Sequence, residues 1–265
     1  MTLSFAEIQY EGAFTCVTWR GISLTPGEDL SAFLQTEMAT RLHDIPGRDE
    51  FQQHLQGLAL TGMGSASLAA VLNAQSCEER DWAAGEALAE AWLIRCHQVQ
   101  FPWNMERDKR NAKGSLPGAD MVGFLPCEAG FRLMIGEVKT SGEDQNPPQV
   151  MSGRGGLIHQ IDELGNNLEK IGQLLFWLHA RVKNTAWQAA YDDAAKLYFN
   201  SGNKCVALFG ILIRDTSPNR KDLENRAKTL DTKLAQPTRC ELIALHLPFD
   251  IADLPAFAVA HGGVS

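Results

Sequence analysis

The feature that most constrains the fold is an almost uninterrupted apolar run, KCVALFGILIRD, at residues 204–215. A strand that alternates apolar and polar residues has one solvent-exposed face. A run that is apolar at odd and even positions alike is typical of a strand that is covered on both faces. The run is also well short of the roughly 20 residues that cross a bilayer. We therefore predict a buried strand in a sheet that carries helices on both sides.

The segments around this strand predict an α/β fold. Residues 77–96 predict a helix in which Ser76 is the N-cap and Glu79 completes a capping box. ADMVGFL and GFRLMIGEVKT predict a β-hairpin, and apolar residues recur at steps of four and three over residues 157–182, which predicts one long helix. A polar helix and a last strand follow, SPNRKDLENRAKTLDTKLA and CELIALHLPF. This order predicts a mixed central sheet flanked by helices.

The first 75 residues contain no catalytic pattern. AFTCVTWRGISL predicts a strand or hairpin, GEDLSAFLQTEMATRLHDI predicts an amphipathic helix, and helical pieces follow that are broken near Gly62 and Gly64. We expect residues 1–75 to form an N-terminal accessory or docking region and residues 76–265 to form the main domain.

Composition narrows the class of function. The formal net charge of −8 argues against a protein that coats nucleic acid non-specifically, but it leaves room for an enzyme with one local basic groove. The six cysteines contain no C-x-x-C pair and are typical of small buried residues. No G-x-x-x-x-G-K-[ST] loop is present for ATP hydrolysis, and no signal-peptide pattern or membrane span is apparent, so we expect a cytoplasmic protein.

Three polar side chains interrupt the hairpin and form the candidate catalytic group. Glu137 and Lys139 are two residues apart on a predicted strand, so they project from the same face. Asp120 begins the preceding strand, and in an antiparallel pair the start of one strand lies near the end of the next. We therefore expect all three side chains to meet at one edge of the sheet.

Two carboxylates at one place predict a site for Mg²⁺, which prefers oxygen ligands and keeps several waters that a phosphate can displace. The metal ligands would be Asp120 and Glu137, with Mn²⁺ as a possible substitute. Lys139 would orient the attacking water and stabilise negative charge on phosphorus. The residue types therefore indicate phosphodiester hydrolysis.

The pattern Pro117-Gly118-Ala119-Asp120 followed by Glu137-Val138-Lys139 resembles the PD-(D/E)xK nuclease superfamily. The resemblance implies a restriction-endonuclease-like core. It also implies a further catalytic glutamate from the preceding helix, for which Glu86 is the best match and Glu90 is the fallback. In many members a glutamine or basic residue acts from the helix after E-x-K, and the candidates here are Gln160 and His159. Where some members have a tyrosine four residues after this glutamine, the chain has Leu164.

Within the superfamily, GEALAE, GADMVGF, GEVKTS and SGRGGLIHQIDEL are most similar to the nuclease subunits of Hachiman antiphage systems. The similarity spans roughly residues 80–182 and leaves the N-terminal region unmatched. It implies a DNA nuclease that acts with a superfamily-2 helicase as its partner.

Four residues are candidate nucleic-acid contacts. Arg154 lies among glycines that allow close approach of a phosphate before a helix begins, and Gln160 follows on that helix. Arg110 and Lys113 lie in a mildly basic run just before Asp120.

Each assignment has a plainer alternative. Opposite charges also alternate on ordinary exposed strands, Glu86 belongs to a stripe typical of a solvated helix face, and a turn alone explains the glycines around Arg154. Two alternative functions also remain open. The chain could be a catalytically weak module that binds DNA or regulates a helicase, or a stand-alone restriction or repair nuclease.

Overall fold

The computed structural model describes residues 3–73, 81–108 and 118–258. Within this part, six strands form one mixed sheet in the order β1-β2-β6-β5-β4-β3. The strands are β1 (Ala6–Ala13), β2 (Val17–Leu24), β3 (Met121–Cys127), β4 (Gly130–Ser141), β5 (Val206–Arg214) and β6 (Arg239–His246). The strands β2, β6, β5 and β4 are parallel, and the antiparallel strands β1 and β3 form the two edges. The predicted hairpin is therefore confirmed as β3 and β4.

The strand predicted from the apolar run is confirmed as β5, which is buried at every position. It pairs with β4 on one side and β6 on the other. Its burial requires helices on both faces of the sheet, and these are present.

The helices precede β3, separate β4 from β5, or follow β5. They are α1 (Glu28–Phe33), which continues through a π-helical turn (Leu34–Met38) into α2 (Ala39–Leu42), then α3 (Ile45–Leu58), α4 (Gly62–Asn73), α5 (Asp81–His97), α6 (Leu157–Asn166), α7 (Leu168–Val182), α8 (Gln188–Asn200), α9 (Glu224–Asp231) and α10 (Leu254–Ala258). The helices α1, α2, α5 and α10 pack on one face of the sheet. The helices α6 to α9 pack on the other, so the predicted α/β class with a mixed, helix-flanked sheet is confirmed.

The N-terminal residues share this architecture. β1 and β2 belong to the same sheet as β3 to β6, and Leu30, Phe33 and Leu42 lie in one core with α5. In contrast, α3 has no buried residue, and several of its apolar side chains and those of α4 face solvent. The boundary expected at residue 75, and the predicted cap Ser76 with Glu79, lie outside the described residues.

The prediction of one long helix over residues 157–182 is wrong, because the chain breaks at Asn167. This residue has an extended backbone (φ −93°, ψ 102°), and its side chain accepts hydrogen bonds from the backbone N–H groups of Glu169 and Lys170. Asparagine is a favoured N-cap because its side-chain oxygen satisfies these donors. The apolar stripe thus continues across two helices.

Among the described residues, no helix combines the length and apolar character needed to cross a membrane.

Candidate active site

Asp120 and Glu137 are neighbours at the point where β3 begins. Met121 pairs with Gly136, which places the preceding residue, Asp120, beside Glu137. Asp120 Oδ2 accepts a hydrogen bond of 2.8 Å from the backbone N–H of Val138. Asp120 is therefore anchored to β4 immediately before Met121, the first residue of β3.

Glu137 and Lys139 project toward the helices α6 to α9. Leu133 and Ile135 lie in the core beneath those helices, while Met134 and Val138 lie in the core beneath α5. Since alternate residues of a strand share a face, Glu137 and Lys139 follow Leu133 and Ile135. The structure thus brings Asp120, Glu137 and Lys139 to one place.

The two charged side chains of β4 differ in exposure. Lys139 Nζ lies 3.5 Å from Glu137 Oε2, and their side chains are 22% and 2% exposed, respectively. Glu137 Oε2 is fully buried and has no hydrogen-bond partner among the described residues. A distance of 3.5 Å makes the contact with Lys139 an ion pair rather than a good hydrogen bond. Apart from this ion pair, Glu137 Oε2 thus has no hydrogen-bond partner in the described part of the chain.

Burial raises the pKa of Glu137 to about 9, and the charge of Asp120 and a hydrogen bond with it act in the same direction. Lys139 opposes this shift but does not overcome it. Two neighbouring carboxylates cannot both ionise cheaply without a compensating cation. At neutral pH, and with no cation besides Lys139, Glu137 therefore keeps its proton.

The donor set of this site fits a hard divalent cation. Asp120 and Glu137 supply carboxylate oxygens, and one of them is Glu137 Oε2, which accepts no hydrogen bond from any described residue. In the described part of the chain, no group of three or more histidine, cysteine, aspartate or glutamate side chains could hold a metal ion. Waters and a substrate phosphate would complete the shell, which suits Mg²⁺ better than metals that need an all-protein cage.

Glu86 and Glu90 lie on α5, which covers the opposite face of the sheet from the one toward which Glu137 points. A Cβ at Gly85 would lie 2.7 Å from the side chain of Thr140, which shows how closely this helix packs there. Glu90 is buried and pairs with Arg41 at 2.5 Å. Neither glutamate forms a three-acid metal group with Asp120 and Glu137 in the part of the chain that is described.

Gln160 and His159 lie on α6, on the same side of the sheet as Glu137. The side-chain oxygen of Gln160 is buried and lacks a hydrogen-bond partner within the described ranges. His159 Nε2 lies 3.9 Å from Glu163, one helical turn later. Of these two side chains, Gln160 is therefore the one with a buried acceptor that no described residue satisfies.

Gly210 was not among the predicted site residues, yet it pairs with Glu137 across β4 and β5. A Cβ at this position would lie 2.7 Å from Leu242 and 3.5 Å from both Leu157 and Ile161. The missing side chain lets the first turns of α6 pack close to the sheet beside Glu137. A lone glycine inside an apolar strand is the available signal, because it often marks a close approach of another element.

The predicted basic contacts are placed only in part. Arg154 is exposed on the loop before α6. Arg110 and Lys113, which were predicted to contact nucleic acid, lie outside the described residues.

Neither a protein-family model nor a curated protein sequence matches the chain.

Proposed function

We propose that the chain is a Mg²⁺-dependent nuclease that hydrolyses phosphodiester bonds of DNA. The observation that carries the proposal is the pairing of Asp120 with a buried Glu137 whose pKa is raised to about 9, beside a partly exposed lysine. A structural ion pair would leave the glutamate ionised and fully partnered. This pair instead needs a further positive charge, which is the property of a metal site.

Asp120 and Glu137 would hold the cation, and Mn²⁺ can substitute for Mg²⁺ because both accept oxygen ligands. When bound, the cation would lower the pKa of a water molecule and offset negative charge on the scissile phosphate. Asp120 is fixed by its bond from the Val138 N–H, and Glu137 is fixed by its burial in the sheet. Ligands on rigid strands can maintain a metal site without reorganisation.

Lys139 would act on the attacking water and on the charge that develops at phosphorus. Its ammonium group is close to Glu137, and its side chain is 22% exposed, so it can reach both the acids and an incoming substrate. A fixed cation at this position stabilises negative charge as it forms.

The proposed setting is an antiphage complex in which a superfamily-2 helicase supplies DNA translocation. The absence of an ATP-binding loop, the net charge of −8 and the similarity to Hachiman nuclease subunits support it. The helices α3 and α4 and the turn between them are a candidate docking surface, since Phe51, Leu58, Leu60, Met63 and Val71 are all exposed there. Exposed apolar patches of this kind are typical of protein interfaces.

The test is cleavage of plasmid and linear DNA by the purified chain, alone and with its co-purifying partner, with Mg²⁺ or with EDTA. We expect Mg²⁺-dependent cleavage by wild type and its loss in Glu137→Gln. Equal cleavage by both proteins would refute the site. If the chain binds DNA or a helicase tightly but never cuts, the alternative function of a binding or regulatory module is correct instead.

A further inference from the structure

Arg226 of α9 contacts the glycine-rich loop that precedes α6. Its Nη2 donates a hydrogen bond of 2.9 Å to Ser152 Oγ. Its Nε is buried and has no hydrogen-bond partner among the residues described. Arg226 is nevertheless partly exposed, and a guanidinium group has five N–H donors, so donors other than the buried Nε can meet an acceptor from outside the protein.

The loop at residues 152–156 is tight on its inner side and open on its outer side. A Cβ at Gly156 would lie 2.3 Å from the backbone oxygen of Ser152, so the chain folds directly onto itself there. Gly153 has φ +77°, and a Cβ on either Gly153 or Gly155 would have no neighbour within 4 Å. Arg154 stands exposed between them. Nothing in the described chain covers the backbone on that side.

The loop lies next to the proposed active site. It leads directly into α6, and Leu157 and Ile161 of that helix approach the position of a Cβ at Gly210 to 3.5 Å. Gly210 pairs with Glu137. The first turns of α6 therefore lie beside Glu137, and Arg154 and Arg226 are at the beginning of this helix.

The sequence around Arg226 has more basic than acidic residues, although the chain as a whole is acidic. Residues 214–239 contain seven arginine or lysine residues against four aspartate or glutamate residues, whereas the complete chain has a net charge of −8. Three of the seven, Arg214, Arg220 and Lys233, are paired with Asp222, Glu224 and Asp162. Within the described residues, neither Arg154 nor Arg226 forms an ion pair.

Two other cations on this face already have partners. Lys170 pairs with Glu163, and Arg181 pairs with Asp108, where they line a cavity of about 360 Å³ near Gly118. That cavity therefore offers fewer uncompensated charges to a phosphate than the loop does.

We propose that Arg226 and Arg154 together hold a backbone phosphate of the bound DNA strand, adjacent to the phosphodiester that faces Asp120 and Glu137. The inference rests on the proposed function and names the binding site for its substrate. An arginine fork matches the oxygens of a phosphate, and contacts of this kind position the strand without reading its sequence. Ser152 orients Arg226, and the glycines allow the strand to approach the loop.

The test is binding of a fluorescein-labelled DNA of 20 nucleotides in EDTA, followed by fluorescence anisotropy over a range of salt concentrations. Arg226→Ala and Arg154→Ala are each expected to weaken binding roughly tenfold, the size of one hydrogen bond to a charged group. Each should lower the slope of log affinity against log salt by about one, because one phosphate contact is lost. Arg226→Lys keeps the charge and should retain most of that slope while losing part of the affinity.

Lys228→Ala is the matched control. Lys228 is exposed on the same helix, two residues further on, and so points away from the loop. Its removal also takes away one positive charge and should change affinity less than twofold. If Arg226→Ala and Lys228→Ala have the same affinity and slope, or if wild type binds no DNA, the inference is wrong. If cleavage depends on Glu137 but Arg226→Ala and Lys228→Ala bind DNA alike, only the phosphate site is wrong. If the two variants bind DNA differently but the protein never cleaves it, only the proposed nuclease function is wrong.

Discussion

Lys139 Nζ lies 3.5 Å from Glu137 Oε2, and the lysine side chain is 22% exposed whereas the glutamate is 2% exposed. The pair thus joins a buried acid to a cation that can still meet a substrate. This asymmetry separates the roles of the two side chains and leads to distinct predictions for each.

Lys139→Ala should lower the rate of DNA cleavage by about 10²–10⁴-fold, the usual contribution of a group that moves a proton or stabilises charge in the transition state. The measurement is the single-turnover rate in Mg²⁺. Lys204→Ala is the control, since Lys204 is exposed just before β5, at the opposite end of the sheet from the site, and should cleave at the wild-type rate. Equal rates for the two variants would show that Lys139 has no catalytic role.

Glu137→Gln should change how stability depends on pH in the absence of metal. The folded-state pKa of about 9 lies above the ordinary value of 4.5, so the folded protein holds a proton that the unfolded chain has released over this range. Its contribution to stability is complete below the unfolded pKa and is lost as pH rises through the folded pKa. Wild type should therefore lose stability toward pH 9.

The glutamine variant lacks this titration, so its melting temperature in EDTA should exceed that of wild type by several degrees at pH 8.5. A change of 1 kcal/mol corresponds to roughly 2–4 °C in a protein of this size. Asp222, whose pKa burial raises to about 6, titrates in both proteins and cancels in the comparison. Parallel melting curves from pH 5 to 9 would contradict the raised pKa of Glu137.

Two variants of Asp120 separate its structural role from its chemical role. Asp120→Asn keeps an oxygen that can accept the bond from the Val138 N–H, whereas Asp120→Ala removes it. We expect the alanine variant alone to be less stable in EDTA, by about 1–2 kcal/mol. Both variants should lose the stabilisation that Mg²⁺ binding gives to the folded protein. For wild type this stabilisation is about 2.7 kcal/mol when the Mg²⁺ concentration is 100 times the dissociation constant. Thermal melts with and without Mg²⁺ measure both effects, and undiminished stabilisation of the asparagine variant would exclude Asp120 as a ligand.

Replacing Leu60 and Met63 together by glutamate should abolish co-purification with the proposed helicase. Their exposure of 84% and 83% means that the change should leave the fold and the melting temperature intact. Phe199→Glu is the control, because Phe199 is also exposed but lies on α8, far along the chain from α3 and α4. Loss of the helicase in both variants, or retention in both, would exclude α3 and α4 as the docking surface.

The local pattern of the sequence predicted the hairpin and the buried strand because alternation and continuous apolar runs report burial directly. It also placed Asp120 beside Glu137, since an antiparallel hairpin with a short turn fixes the register. It did not predict the break at Asn167, because the apolar stripe continues across the two helices while one side chain caps the second.

The remaining differences come from tertiary structure. A helical stripe shows that Glu86 and Glu90 share a face, but it does not show which side of the sheet α5 covers. The partner of Glu90, Arg41, lies 49 residues away in sequence. Likewise, the contact of Arg226 with Ser152 joins residues that are 74 positions apart, and no local pattern can report it.

The most direct test of a metal site at Asp120 and Glu137 is a calorimetric titration of the protein with Mg²⁺ at pH 8, repeated with Glu137→Gln. We expect a saturable site in wild type at which Mg²⁺ binding releases protons, because the metal must displace the proton that Glu137 otherwise keeps. We expect this site to be absent from the variant. Identical titrations of the two proteins would contradict the claim that Asp120 and Glu137 form a metal site.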